Sequence, residues 1–143
     1  MLKSYTILDH TADIGLLCKG ETIEAVFEAG AEGMFSILID SDTVSVKERH
    51  YIKVKASTYD DLFVQWLQEL IYRFSTKYYF YSEFSVKISN DDSHSIEAAG
   101  VCGGERIDPD VHSIFTEIKT ATYHQLMVKK TKTGWEGKVI FDL

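Results

Sequence analysis

The densest set of reactive side chains in this sequence is Asp9-His10-Thr11-Ala12-Asp13-Ile14-Gly15. Two carboxylates, an imidazole and a hydroxyl within five residues could coordinate a hard cation or perform acid/base work. The same composition builds Asx and ST turns, in which such side chains satisfy neighbouring backbone groups, and spacing alone favours that reading. A second place is residues 103–112, Gly-Gly-Glu-Arg-Ile-Asp-Pro-Asp-Val-His. Its paired glycines would let backbone N–H groups approach an anion, and a long solvated hairpin connection is an equal alternative. A third is residues 117–124, where strand alternation sets Lys119, Ala121 and Tyr123 on one face and Ile118, Thr120, Thr122 and His124 on the other. A histidine on such a half-apolar face is more often a packed, hydrogen-bonded residue than a ligand. Finally, Asp142-Leu143 follows an apolar run. A carboxylate beside the oxygens of a terminal residue gives half a calcium-type shell, too little alone, and a frayed end is the plainer reading.

Two helices and a set of hairpins must position these groups. Thr22 is a plausible N-cap, followed at spacings of three and four by Ile23, Val26, Phe27, Gly30, Met34 and Ile37. A second helix starts at Ser57 or Thr58, with Asp60 and Asp61 in its first turn. Leu62, Phe63, Trp66, Leu67, Leu70, Ile71 and Phe74 then form a wide apolar stripe, which marks a core-facing helix. Strands are expected over residues 4–8, 14–19, 44–56, 78–89, 95–103, 117–130 and 135–141, with turns at Asn90-Asp91-Asp92-Ser93 and at 131–134. Hairpins without βαβ alternation describe one α+β domain, two helices packed on a mainly antiparallel sheet. A chain of 143 residues is long enough to bury its own core.

Composition removes several functions. Twenty-two acids against 15 Lys and Arg give a net charge of −7, which argues against a surface that holds nucleic-acid phosphates. Cys18 and Cys102 stand in no CxxC pair, so a zinc ribbon and a thioredoxin-type motif are excluded, and both read as buried thiols of a reducing cytosol. No secretory signal and no span of apolar residues long enough for a membrane helix is present, which makes a cytoplasmic protein the expectation. Nucleotide-loop, Rossmann, zincin and serine-hydrolase motifs are all missing.

Taken together, DHTADIG, the late GER-x-D-x3-H segment, EIKTATYH, the following Trp and the closing FDL resemble the archease family, in order and from Tyr5 to Leu143. The resemblance implies a non-enzymatic protein cofactor of the RtcB-type RNA ligase of transfer-RNA splicing and RNA repair. It would promote guanylylation of the ligase and multiple turnover. It also implies a divalent-metal site, calcium above all, at Asp13, Asp142 and Leu143. Asp9, His10 and Lys119 are then candidates for supporting those ligands or touching the partner. Other readings remain: a chaperone-like modulator of a transfer-RNA methyltransferase, or a metal-dependent hydrolase using His10 as base.

Overall fold

The computed structural model describes residues 2–9, 12–90 and 94–143. Seven strands and two long helices follow one another as β1 (Lys3–Asp9), β2 (Asp13–Gly20), α1 (Ile23–Leu38), β3 (Glu48–Ala56), α2 (Tyr59–Lys77), β4 (Tyr79–Asn90), β5 (Ile96–Arg106), β6 (Thr120–Lys130) and β7 (Trp135–Asp142). Every ladder is antiparallel. The strands divide into two sheets, one ordered β1-β2-β7-β6 and the other β3-β5-β4.

Both helices begin where their caps require. The Thr22 hydroxyl accepts the Ala25 N–H at 3.1 Å, and the Thr58 hydroxyl accepts the Asp61 N–H at 3.2 Å. Each satisfies a donor that the first turn leaves without an intrahelical partner. The α1 helix is apolar on nearly every side because it packs on β1, β2 and β7 of one sheet and on β4 of the other. Phe35 meets Phe80 edge-on at 4.7 Å between ring centroids, and Leu16 and Cys18 of β2 are fully buried. The α2 helix buries one stripe against β3, β4, β5 and β6. Its Trp66 lies over Gly100, where a Cβ would come within 2.4 Å of the indole. The indole N–H donates to the Phe27 carbonyl at 3.1 Å and so ties α2 to α1.

Polar side chains of the helices complete the strands. Glu28 of α1 receives the Val86 N–H of β4 at 2.9 Å and pairs with Lys3 of β1 at 3.2 Å, joining the two sheets. Gln68 of α2 receives the Ala121 N–H of β6 at 2.9 Å, and Asp60 receives the Val128 N–H at 2.7 Å.

Three elements differ from the sequence expectation. β3 starts at Glu48, not at 44: after a short 3₁₀ turn over Ser41–Thr43, the Ser45 N–H is taken by the Glu105 carboxylate instead of a strand partner. β5 runs on through Gly103, Gly104 and Glu105 to Arg106. β6 begins only at Thr120 and loses register between Thr122 and Met127. The expected turn at 90–93 falls, beyond Asn90, outside the described residues.

Candidate functional site

The acidic groups of the first motif and of the chain's last strand meet on one sheet. β2 lies between β1 and β7, and its register with β7 sets Asp13 directly opposite Asp142. Leu16 and Cys18 of β2, with Val139 and Phe141 of β7, turn inward to the helices. By the period of two, Asp13 and Asp142 share the outer face. Leu143, 37% exposed, follows Asp142 directly, and the Asp142 carbonyl receives the Lys119 N–H at 2.9 Å.

Asp13 lines an open groove with Ile7, Asp9, His124, Gln125 and Lys138. One wall of the groove is the irregularity in β6. Between the pairs Thr122↔Ile140 and Met127↔Lys138, the residues from Tyr123 to Leu126 face the single Val139. Gln125 there takes a left-handed backbone, φ 54°, and its amide oxygen accepts from Lys138 Nζ at 2.7 Å. Bulges of this kind redirect side chains beside functional sites. His124 lies within this irregular stretch at an exposed position on the groove, so this histidine does not pack into the core as its sequence setting suggested.

The donors fit a hard cation. Asp13 Oδ1 is buried and finds no hydrogen-bond partner, an arrangement that costs about 1–3 kcal/mol unless something satisfies the oxygen. The second carboxylate stands opposite it, and like charges in that position repel. Among the described residues no three His, Cys, Asp or Glu side chains converge on one point. A cation held here would have two carboxylates and main-chain oxygen to draw on, and the remaining positions of a calcium-type shell would fall to water or a partner.

The other candidates separate. Asp9 shares the groove with Asp13, and His10 lies outside the described residues. Lys119 approaches Asp142 through its backbone only, while its exposed side chain borders a different groove with Gln68, Glu69 and Tyr72 of α2. Gln125 and Lys138 escaped sequence reasoning. The one signal for them is the slip in alternation at Leu126, Met127 and Val128, three apolar residues in a row.

The glycine-rich segment is structural. Gly103 and Gly104 sit inside β5, between β3 and β4, so they form no cradle for an anion. Glu105 is buried and receives the Ser45 N–H at 2.6 Å, with Lys47 Nζ at 3.3 Å and His112 Nε2 at 3.2 Å. His112 Nδ1 accepts the Asp108 N–H at 2.8 Å, which leaves the proton on Nε2, facing Glu105. The Ser45 amide, then His112 and Lys47, hold the Glu105 carboxyl below the ordinary carboxylate range against the opposing effect of burial. This cluster pins the segment after β5 to the start of β3.

An α+β pair of antiparallel sheets around two helices, with facing carboxylates on the outer face of one sheet, defines a small protein that carries no recognisable catalytic constellation among its described residues. The chain belongs to the archease protein family, whose model matches residues 5–143. Protein archease of Methanosarcina mazei is 36% identical over 141 residues, covering 99% of this chain and 97% of that protein. Protein archease of Pyrococcus furiosus is 29% identical over 143 residues, covering 99% and 100%. The solution structure of a Methanobacterium thermoautotrophicum protein superposes with a TM-score of 0.81 at 26% identity, covering 97% of this chain and 98% of that one. A Thermotoga maritima archease, described as a "possible chaperone", shares the fold with a TM-score of 0.60 at 20% identity over 95% and 94% of the two chains.

Proposed function

We propose that this protein is a non-enzymatic activator of an RtcB-type RNA ligase in transfer-RNA splicing and RNA repair, promoting guanylylation of the ligase and its multiple turnover. The observation that carries this reading is the acidic pair Asp13 and Asp142, set opposite each other across the β2–β7 ladder, with one buried carboxylate oxygen of Asp13 unsatisfied. Membership of the archease family supports it, since the ligase is the partner that the resemblance implies. Asp13, Asp142 and the main-chain oxygens of Leu143 would hold a divalent cation, with calcium best matched to an all-oxygen set. Bound there, the cation neutralises the two facing carboxylates and offers open coordination positions to a partner group. The protein's own part is to hold those carboxylates on adjacent strands, with Asp9 and His124 on the groove that Asp13 lines and the Lys119 amide donating to the Asp142 carbonyl.

The test is joining of a cleaved RNA by limiting RtcB-type ligase from the same organism, with GTP and a divalent metal. Many turnovers are expected only when this protein is present, and Asp13→Asn or Asp142→Asn should abolish that gain. Lys119→Ala keeps the backbone bond to Asp142, so a loss of activation in that variant would assign the side chain to the partner. An absence of stimulation, or full stimulation by Asp13→Asn, would sink the proposal. Association with a transfer-RNA methyltransferase would then carry the chaperone reading.

A further inference from the structure

The groove that Asp13 lines has a second half of opposite chemistry. Asp9 and Asp13 come to it from β1 and β2, whereas His124, Gln125 and Lys138 come from β6 and β7. It holds about 850 Å³, within the range of small-ligand sites. Lys138 is half-buried and has no carboxylate partner, and among the described residues every other Lys or Arg without one is exposed. Glu136, two places away on the same face of β7, pairs instead with Lys19 at 3.7 Å. The Lys138 ammonium donates to a neutral group, the Gln125 amide oxygen, at 2.7 Å. An ammonium only donates, so the amide oxygen is committed to it, and the amide NH₂ has no partner among the described residues. Gln125 reaches this position from a left-handed backbone, φ 54°, which residues other than glycine adopt at a cost and most often at functional sites.

We infer that Lys138, the Gln125 amide and His124 form an anion subsite that takes a phosphoryl group, other oxygens of which reach a cation held, as proposed above, by Asp13 and Asp142. The subsite rests on that reading of the acidic pair, because without a cation Asp9 and Asp13 repel an anion in the groove. Lys138 and Asp142 lie on the same face of β7, roughly 13 Å apart along the strand, and Ile140 lines the groove between them. That separation keeps the ammonium from cancelling the acidic pair and leaves room for a bridging group. A phosphoryl group suits the bridge. Its oxygens can meet an ammonium, an amide N–H and a divalent ion together, whereas a carboxylate has only two. Phosphate oxygens then fill shell positions that the protein's own groups leave to water. Lys138 supplies the charge, and Gln125 is a positioning residue that holds it in the groove.

NMR titration of the isotope-labelled whole chain tests this, with adenosine, AMP and ADP as probes, in calcium and in chelator. In calcium, AMP or ADP should shift the backbone signals of Gln125 and Lys138, chelator should weaken that binding about tenfold or more, and adenosine should move nothing. Equal affinity for AMP and ADP would assign the subsite to a single phosphoryl group, as an RNA end carries. A clear preference for ADP would assign it to the phosphate chain of a free nucleotide. Lys138→Met keeps the aliphatic stem and should weaken nucleotide binding about tenfold or more, while calcium affinity measured alone stays at the wild-type value. Gln125→Gly relieves the left-handed backbone, so the unfolding midpoint should hold or rise while nucleotide binding weakens. Calcium binding without nucleotide binding would overturn the subsite and leave the cation reading standing, whereas loss of calcium binding itself would overturn both. Equal binding of adenosine, or nucleotide binding indifferent to Lys138→Met, would also overturn the subsite.

Discussion

Asp13 and Asp142 stand directly opposite one another across the β2–β7 ladder, although they come from the first and last motifs of the chain. The juxtaposition is unfavourable by itself, since facing like charges destabilise a ladder by about 0.2–1 kcal/mol. Without divalent cation, Asp142→Asn is expected to raise the unfolding midpoint slightly. Calcium should raise the wild-type midpoint by mass action and leave Asp13→Asn and Asp142→Asn unmoved. Thermal unfolding in chelator and in calcium measures both, and an equal calcium shift in all three proteins would remove the cation from this site.

Glu105 should govern part of the acid stability. Its carboxyl is held low chiefly by the Ser45 N–H. The folded value lies below the unfolded value of about 4.3, so the stabilisation is complete above that pH and is lost as pH falls through the folded value. At neutral pH Glu105→Gln should cost about 1.5–3 kcal/mol, the worth of a hydrogen bond to a charged group. The gap between variant and wild type should narrow on acidification below about pH 4. Urea unfolding of both proteins across that range decides it.

Gly104 is required by space. A Cβ there would lie 1.8 Å from the Phe80 carbonyl oxygen, where β4 loses register against β5. Gly104→Ala should destabilise by about 3 kcal/mol through backbone displacement. At Gly15 the nearest neighbour of an added Cβ is Leu8 Cβ at 3.3 Å, and Gly15→Ala should cost clearly less. Denaturant midpoints of the pair test the ordering.

The two cysteines should be silent in the native state. Burial pushes both the Cys18 and Cys102 thiols up to about 12, and the thiolate is the reactive form. Iodoacetamide at neutral pH should label neither until denaturant is added, when mass spectrometry should find both modified. The same shifts make stability fall as pH rises above the unfolded thiol value of about 8.5.

The helices were legible because their determinants are local. Thr22 and Thr58 cap the turns that follow them, and the apolar spacing of α2 faces the core as written. Strand positions were legible to within a few residues, except where tertiary contacts intervene. β6 starts late, and α2 takes two of its backbone donors through Asp60 and Gln68, a contact that the period of two does not encode.

The acidic site was half legible. Residue types mark Asp9, Asp13 and Asp142 as possible oxygen donors while favouring plainer readings, the archease resemblance singles out Asp13 and Asp142, and alternation assigns each to a face of its own strand. Which strand lies alongside which is a long-range choice, and it is the pairing of β2 with β7 that sets the two carboxylates opposite one another. The same choice set Gly103 and Gly104 in a squeezed central strand, sent the Lys119 side chain toward α2, and placed His124 and Gln125, on the β6 bulge, beside Lys138 of β7. The sequence by itself determined the helices, the approximate strands and the acidic residue types, because caps and periodicity act over a few residues. Only the tertiary structure decided which of those residues meet, because strand pairing is settled by packing around a common core.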